Sequence, residues 1–260
     1  MAEAQASGMQ GRGPSARLIQ KQPIRLRRPD NLRGRTRHFA VYVDPALGRD
    51  GQKDADFVLA RCEADYARIS VYFGGLKPGP FNVILFAHST GAYHNTCGAT
   101  DLFCDAQTQP ANGPYSELQN IMEFVEVFEA LQRKGWICGY SNGEGLSRVL
   151  AASIYPRALK DFATASLWLN SKRHNYVDHT YKSDGGLVPD GCSVLFLNWL
   201  HYQLRHPWQQ IVAAGAPTLG QTYTKLTGRA AGFTRFRALI EAHFPASRQS
   251  TLATDNPFPL

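Results

Sequence analysis

The order of the elements that the sequence predicts indicates an α+β fold. A small N-terminal αβ lobe with a mixed sheet is expected to precede a mainly helical C-terminal lobe. Residues 38–43 are rich in β-branched and aromatic side chains and predict a strand, and residues 81–87 predict a second one. From residue 116 onward, apolar side chains recur at helical spacing. Strands followed by a run of helices are typical of α+β proteins.

The first lobe is predicted to contain one helix and one further strand. Apolar side chains recur every three or four positions over residues 54–72, and the pair Gly74 and Gly75 marks the end of that helix. Residues 88–114 are rich in Gly, Pro, Asn and Thr, with room for a short strand around residues 100–104.

The second lobe is predicted to begin with a long helix. Ser116 and Gln119 form a capping-box pattern that opens it, and Gly135 closes it just after residue 134. Further helices are expected over residues 144–154, 157–172, 191–205, 207–214 and 230–243.

Length and composition favour one folded domain, expected over residues 38–245 and followed by a C-terminal tail over 246–260. The chain has 260 residues, of which 43% are hydrophobic, enough to bury a sizeable core. It contains no stretch of about 18 apolar residues that would predict a transmembrane helix, and its N-terminus lacks the apolar region of a secretory signal. We therefore expect a soluble protein without a signal peptide, cytoplasmic by default.

The positive charge is concentrated at the N-terminus. Residues 1–38 carry nine Lys or Arg and two acidic residues, which accounts for the whole formal net charge of +7. Residues 1–37 are rich in Gly, Pro, Ser and Arg, a composition that predicts a disordered basic tail. Such a tail solubilises the chain or contacts anionic surfaces. Because the remaining chain is neutral, no specific nucleic-acid binding is predicted.

The five cysteines cannot all pair within one chain. Cys97 and Cys104 flank a short turn-rich segment and are candidates for a local disulfide. No C-x-x-C spacing is present, so the pattern does not favour a structural zinc site or thioredoxin-type chemistry.

The helix predicted over residues 116–134 is apolar around most of its circumference and has a narrow polar stripe that includes Glu123 and Glu126. That stripe faces either water or a cleft. In the first case Glu129 and Arg133 would form a solvated i,i+4 pair. In the second, the stripe would be a functional site.

A functional site is favoured by the spacing of three glutamates. Met122-Glu123-Phe124-Val125-Glu126 has the layout of an H-E-x-x-H motif, and Asn142-Gly143-Glu144 opens the following helix. Residues 191–200 and 223–228 add an aromatic helix and a closing segment. In this order of elements, the chain resembles the zincin-like (gluzincin-type) metallopeptidases, in particular relatives of the plant basic secretory proteins.

The resemblance implies zinc as cofactor, Glu123 as general base and Glu144 as third metal ligand. Met122 and Glu126 stand where the two histidine ligands would be, so the zinc ligands are incomplete. A thioether is a poor zinc ligand, whereas the carboxylates of Glu126 and Glu144 suit Mg²⁺, Ca²⁺ or Mn²⁺. Without a metal, neighbouring carboxylates would share a proton.

We therefore expect a degenerate metallopeptidase-like protein, without standard zinc-dependent proteolysis, whose cleft binds a peptide or a polysaccharide. The candidate cleft residues are Met122, Asn142, His88 and His94. The two histidines would approach the cleft from the sheet lobe. One alternative is an active metal-dependent hydrolase that uses the carboxylates.

A second alternative is a serine hydrolase. Residues 83–91 read as a strand followed by A-H-S-T-G, a variant of the nucleophile elbow with Ser89 as the nucleophile. The elbow requires a following helix, and the sequence after Gly91 is instead typical of a loop.

Overall fold

The structure, a computed structural model, describes residues 31–86, 91–106, 115–157, 163–182 and 186–260. Within these ranges it confirms the α+β fold, with five strands in the N-terminal half and a mostly helical C-terminal half. The strands are β1 (Leu32–Arg35), β2 (Phe39–Val43), β3 (Phe81–Phe86), β4 (Tyr93–His94) and β5 (Asp101–Asp105). None of the described helices combines the length and apolar character needed to cross a membrane.

The helices are α1 (Gly48–Tyr72), α2 (Tyr115–Gln132), α3 (Ser141–Ile154), α4 (Ala165–Leu169), α5 (Leu187–Asn198), α6 (Trp208–Ala213), α7 (Leu219–Thr227) and α8 (Gly232–His243). Helices α1 and α2 pack on one face of the sheet, and the other helices form the second lobe. A 3-10 turn (Pro45–Leu47) precedes α1, and a π-helical turn (Trp199–Gln203) continues α5. The sequence predicted α2 and α3 closely, whereas it did not predict α7. Of the helix expected over residues 157–172, the described part is helical only over α4, and residues 158–162 lie outside the described residues.

The sheet is mixed, with strand order β1-β2-β3-β5-β4. The three central strands are parallel, and the short edge strands β1 and β4 are antiparallel to their neighbours. Side chains alternate between the two faces. The face toward the helices carries Val41, Val83, Leu85, Leu102 and Cys104. The opposite face carries Ala40, Tyr42, Ile84, Phe86 and Phe103.

Helix α2 lies in the middle of the molecule, because it packs on α1, on α3 and on strand β5. Its apolar side is held against the sheet by aromatic contacts. The ring of Phe124 lies 5.7 Å from that of Phe39 and 5.9 Å from that of Phe81. One helical turn later, Phe128 lies 5.5 Å from Tyr66. A helix packed on this many sides carries its polar residues into the interior as well.

The folded region is wider than residues 38–245. Strand β1 lies in the segment expected to be a disordered tail, and Arg33 pairs there with Asp56 of α1 at 2.7 Å. Residues 246–260, expected to be a tail, pack on the helices. Asp255 is fully buried, its Oδ1 accepts the backbone N–H groups of Thr164 and Ala165 at 2.7 Å, and Phe258 is buried too. The remainder of the basic segment, residues 1–30, lies outside the described residues.

Candidate functional site

Helix α2 carries three glutamates into the interior. Glu123, Glu126 and Glu129 are 5%, 6% and 0% exposed, and their three-residue spacing places them along one face of the helix. The solvated stripe with a Glu129–Arg133 pair is therefore wrong, since these carboxylates are buried. Among the described residues, neither carboxylate oxygen of Glu129 has a hydrogen-bond partner.

Strand β4 supplies a histidine to this face. Tyr93 stacks on Phe103 on the outer face of the sheet, with ring centroids 4.9 Å apart. Because side chains alternate along a strand, the next residue, His94, faces inward toward α2. Its Nδ1 lies 3.4 Å from Oε2 of Glu123, and its Nε2 lies 3.3 Å from Oε2 of Glu126. The imidazole thus lies between two carboxylates, each of which faces a different ring nitrogen.

The first turn of α3 adds Glu144. Its Oε1 accepts a hydrogen bond from the backbone N–H of Gly139 at 3.0 Å. Burial, followed by the negative charge of Glu126, raises the pKa of Glu144 to about 8. A Cβ at Gly143 would lie 2.4 Å from the carbonyl oxygen of Ile137, so the glycine lets α3 begin close against the preceding loop.

The pKa values of Glu123 and Glu129 are raised well above the ordinary range for the same reasons. Burial is the largest cause, and the charges of Glu126 and Glu144 add to it. Behind this group, α5 contributes Asp190, whose carboxylate lies 4.0 Å from Arg148 of α3. Burial raises the pKa of Asp190 to about 6 although the arginine opposes it. The site therefore concentrates several carboxylates that prefer a proton or a cation.

A disulfide borders the same histidine. Cys97 pairs with Cys138, with their Cα atoms 5.8 Å apart, so the predicted Cys97–Cys104 bond is wrong. Cys104 is instead a buried free cysteine on β5 in the core. The Sγ of Cys138 lies 3.2 Å from Nε2 of His94. The bond joins the β4 region to the loop between α2 and α3, and no local sequence pattern links cysteines 41 positions apart.

Two predicted cleft residues have structural roles. Met122 belongs to the hydrophobic core and is 8% exposed. Asn142 is 1% exposed, and its amide donates to the carbonyl oxygens of Gly135 and Ala216 at 2.8 and 3.3 Å. Both side chains are therefore occupied by packing or by backbone contacts. His88 and Ser89 lie outside the described residues.

Among the described residues, one group of three possible metal ligands includes His94. The ligand atoms of His94, Cys97 and Cys138 lie within 4.8 Å of one another. The carboxylate of Glu126 lies 3.3 Å from the same Nε2, and its charge contributes to the raised pKa of Glu144. His94 therefore contacts both the sulfur of Cys138 and the carboxylate of Glu126.

A scan against protein-family models finds no match for this chain, and searches of the curated proteins and of the solved structures find none either. The resemblance to the zincin-like peptidases stays a prediction, as do the peptide and polysaccharide ligands.

Proposed function

We propose that the chain is a metal-dependent hydrolase whose ion is held by His94, Glu126 and Glu144. The position of the His94 ring carries this proposal. The sequence offered two carboxylates but no imidazole in the H-E-x-x-H register, and strand β4 brings an imidazole to them from the other lobe. One imidazole and two carboxylates suit zinc or manganese.

The distance between His94 and Glu126 supports such an ion. Two donor atoms that bind one zinc ion at about 2.1 Å with a near-tetrahedral angle lie about 3.4 Å apart. Nε2 of His94 and Oε2 of Glu126 are separated by 3.3 Å. The burial of several carboxylates around one imidazole also favours a cation, because a buried negative charge without a partner is costly.

We assign Glu123 a different role from the one that the resemblance implies. Its carboxylate faces Nδ1 of His94 at 3.4 Å, on the side of the ring away from Glu126. Nδ1 has no hydrogen-bond partner among the described residues, so once an ion occupies Nε2 the carboxylate of Glu123 is placed to accept the Nδ1–H and to fix the tautomer. Glu123 is thus a positioning residue for His94.

Each residue then has a defined task. His94 and Glu126 would hold the ion from β4 and α2, and Glu144 would hold it from α3, where its Oε1 accepts the backbone N–H of Gly139. When bound, zinc or manganese polarises a carbonyl group and lowers the pKa of a water molecule. The substrate class that the resemblance implies is a peptide, and a polysaccharide is the alternative.

The degenerate, non-catalytic scaffold is the second candidate. It is favoured by the low exposure of the side chains of His94, Glu123 and Glu126, which are 5%, 7% and 8% exposed, because a substrate must reach the ion. A scaffold of this kind would bind a ligand in the cleft without a metal. The Ser89 hydrolase remains a third candidate, and labelling of Ser89 by a fluorophosphonate probe would support it.

Zinc titration of the purified protein, with its disulfide intact, separates these candidates. We expect a single site whose affinity falls at least 100-fold in His94→Ala and in Glu144→Gln. Glu117→Gln, which removes a buried carboxylate of the same α2 helix, is the matched control and retains the wild-type affinity. Unchanged affinity in His94→Ala, or no zinc binding by the wild type, would rule out the proposed metal site.

A peptide library incubated with the loaded protein tests the catalytic part of the proposal. Cleavage that is lost on chelation and restored by zinc or manganese is expected. Stoichiometric metal binding without any cleavage would favour the scaffold.

A further inference from the structure

We propose that the Cys97–Cys138 disulfide is a redox gate on the metal site. In the oxidised protein the ion uses His94, Glu126 and Glu144, as proposed above. On reduction, the two cysteine thiolates bind the ion together with His94 and Glu126, and four protein ligands then surround it. The inference rests on the proposed function only for the open, oxidised site.

The geometry places one nitrogen at the junction of the two ligand sets. Nε2 of His94 lies 3.3 Å from Oε2 of Glu126 and 3.2 Å from Sγ of Cys138. Cys97 completes a group whose ligand atoms lie within 4.8 Å of one another. An ion bound to Nε2 can therefore be bound also by the carboxylate of Glu126 or by the sulfur atoms, and the imidazole does not have to move.

The chemistry of sulfur makes the exchange depend on the redox state. A disulfide sulfur is a weak metal ligand, whereas a thiolate binds zinc at about 2.3 Å and is among its preferred ligands. Two thiolates on one tetrahedral ion lie about 3.8 Å apart. The sulfur atoms of a disulfide are about 2 Å apart. After reduction, the two sulfur atoms must therefore move apart by about 1.8 Å in order to bind one ion.

The surroundings of the two cysteines permit that movement. Cys97 is exposed, so a reductant can reach the bond, and Cys138 is partly exposed. Each cysteine is followed by a glycine with positive φ, Gly98 at 109° and Gly139 at 73°. A Cβ at Gly98 would meet no atom within 4 Å, so this side of the bond has open space.

The electron and proton balance is complete with a dithiol as the reductant. The Cys97–Cys138 bond takes two electrons and two protons from the dithiol, which itself becomes a disulfide. The two new thiols then lose two protons as they bind the divalent ion. Oxidation by another disulfide reverses both steps and releases the sulfur ligands.

The functional consequence follows from the number of protein ligands. Catalytic zinc sites keep a position open for water or substrate, whereas sites with four protein ligands are closed and structural. In the oxidised form, His94, Glu126 and Glu144 leave such a position. In the reduced form the thiolates close it, so the hydrolase is active when oxidised and silent when reduced.

Cobalt substitution tests the gate without an activity assay. Co²⁺ is added to the full-length protein in its oxidised form and after reduction with a phosphine. The reduced wild type is expected to show a thiolate-to-cobalt charge-transfer band and at least tenfold tighter binding, and the oxidised form to show no such band. The Cys97→Ser, Cys138→Ser double variant is expected to lack the band in both states and to bind like the oxidised wild type.

Glu144→Gln distinguishes failure of the gate from failure of the proposed function. This variant is expected to lose binding in the oxidised state and to retain the charge-transfer band after reduction. If the oxidised wild type binds no metal but the reduced form shows the band, the thiolate site stands and the proposed hydrolase does not. If the reduced wild type binds metal without the band, the gate is overturned.

Alkylation of the thiols provides a second readout. Zinc is expected to slow the reaction of Cys97 and Cys138 with iodoacetamide in the reduced native protein at least tenfold. Cys62, Cys104 and Cys192 are buried free cysteines and serve as internal controls for loss of folding. Equal alkylation rates of Cys97 and Cys138 with and without zinc would contradict the thiolate site.

Discussion

The proposed metal site depends on His94, because both of its ring nitrogens face carboxylates of α2. A histidine on a two-residue edge strand has no sequence pattern that identifies its partner, although its approach from the sheet lobe was expected. The structure adds which nitrogen faces which carboxylate. This detail assigns Glu126 to metal binding and Glu123 to the orientation of the ring.

Replacing Glu123 by glutamine tests that assignment. The variant keeps the shape of the side chain but weakens the interaction with Nδ1–H of His94. We expect its zinc affinity in the oxidised protein to fall about 10- to 100-fold, as is usual for a carboxylate behind a histidine ligand. Glu123→Asp is expected to restore part of the affinity, since it retains the charge. A loss as complete as that of His94→Ala would instead identify Glu123 as a direct ligand.

Glu117, near the start of α2, allows a prediction on pH dependence away from the metal site. Burial, opposed by a backbone hydrogen bond and by the charge of Arg61, raises its pKa from 4.5 to about 7. The folded state therefore holds this proton more tightly than the unfolded state. The stability that it confers is fully present below pH 4.5 and is lost as the pH rises toward 7.

Glu117→Gln resembles the protonated side chain and does not titrate. Its free energy of unfolding should exceed that of the wild type by up to about 3 kcal/mol at pH 8, with no difference near pH 4. Urea unfolding of both proteins at the two pH values measures this. A stability difference that does not change with pH would contradict the raised pKa.

At the scale of elements, the close approach of α3 to the loop before it positions Glu144. Gly143 has no room for a side chain, since a Cβ would lie 2.4 Å from the carbonyl oxygen of Ile137 and 2.8 Å from Oε2 of Glu129. The backbone atom cannot move aside as the end of a side chain could. The glycine therefore keeps α3 against α2.

Gly143→Ala is expected to lower the free energy of unfolding by about 1–3 kcal/mol, because overpacking forces the backbone to shift. The same shift should weaken zinc binding through Glu144. Gly186→Ala is the matched control, because the nearest atom to its Cβ would be 3.9 Å away and its φ of −155° suits any residue. Equal stability of the two variants would show that α3 has more freedom than the structure indicates.

The elements themselves were largely predictable and their burial was not. Local residue patterns predicted β2, β3, α2 and α3, since local spacing encodes each of them. A narrow polar stripe on a helix fits solvent and interior equally well, so the burial of Glu129 could not be read from it. The pairing of Cys97 with Cys138 depends on contacts between distant segments, as does the short edge strand β4.

At the scale of the whole molecule, the last residues of the chain close the helical lobe. Asp255 accepts the backbone N–H groups of Thr164 and Ala165 at the start of α4, and its own carbonyl oxygen accepts the amide of Asn198 at 2.7 Å. The sequence predicted a tail here because residues 246–260 have neither helical nor strand periodicity. An irregular segment can be fixed by backbone groups some 90 positions away, which no local pattern reveals.

Asp255→Ala leaves two buried backbone N–H groups without their acceptor. We expect the free energy of unfolding to fall by about 2–4 kcal/mol. Thr251→Ala, at an exposed position of the same segment, should change it by less than about 0.5 kcal/mol. Similar values for the two variants would mean that the C-terminal segment does not support α4.

The central claim is that one ion binds between the two lobes, on Nε2 of His94. Crystals of the oxidised protein soaked in zinc, with anomalous data collected at the zinc edge, test it directly. One strong peak is expected about 2.1 Å from Nε2 of His94 and from carboxylate oxygens of Glu126 and Glu144, with the carboxylate of Glu123 facing Nδ1 of the ring. Fully occupied zinc elsewhere, with no peak at His94, would contradict it.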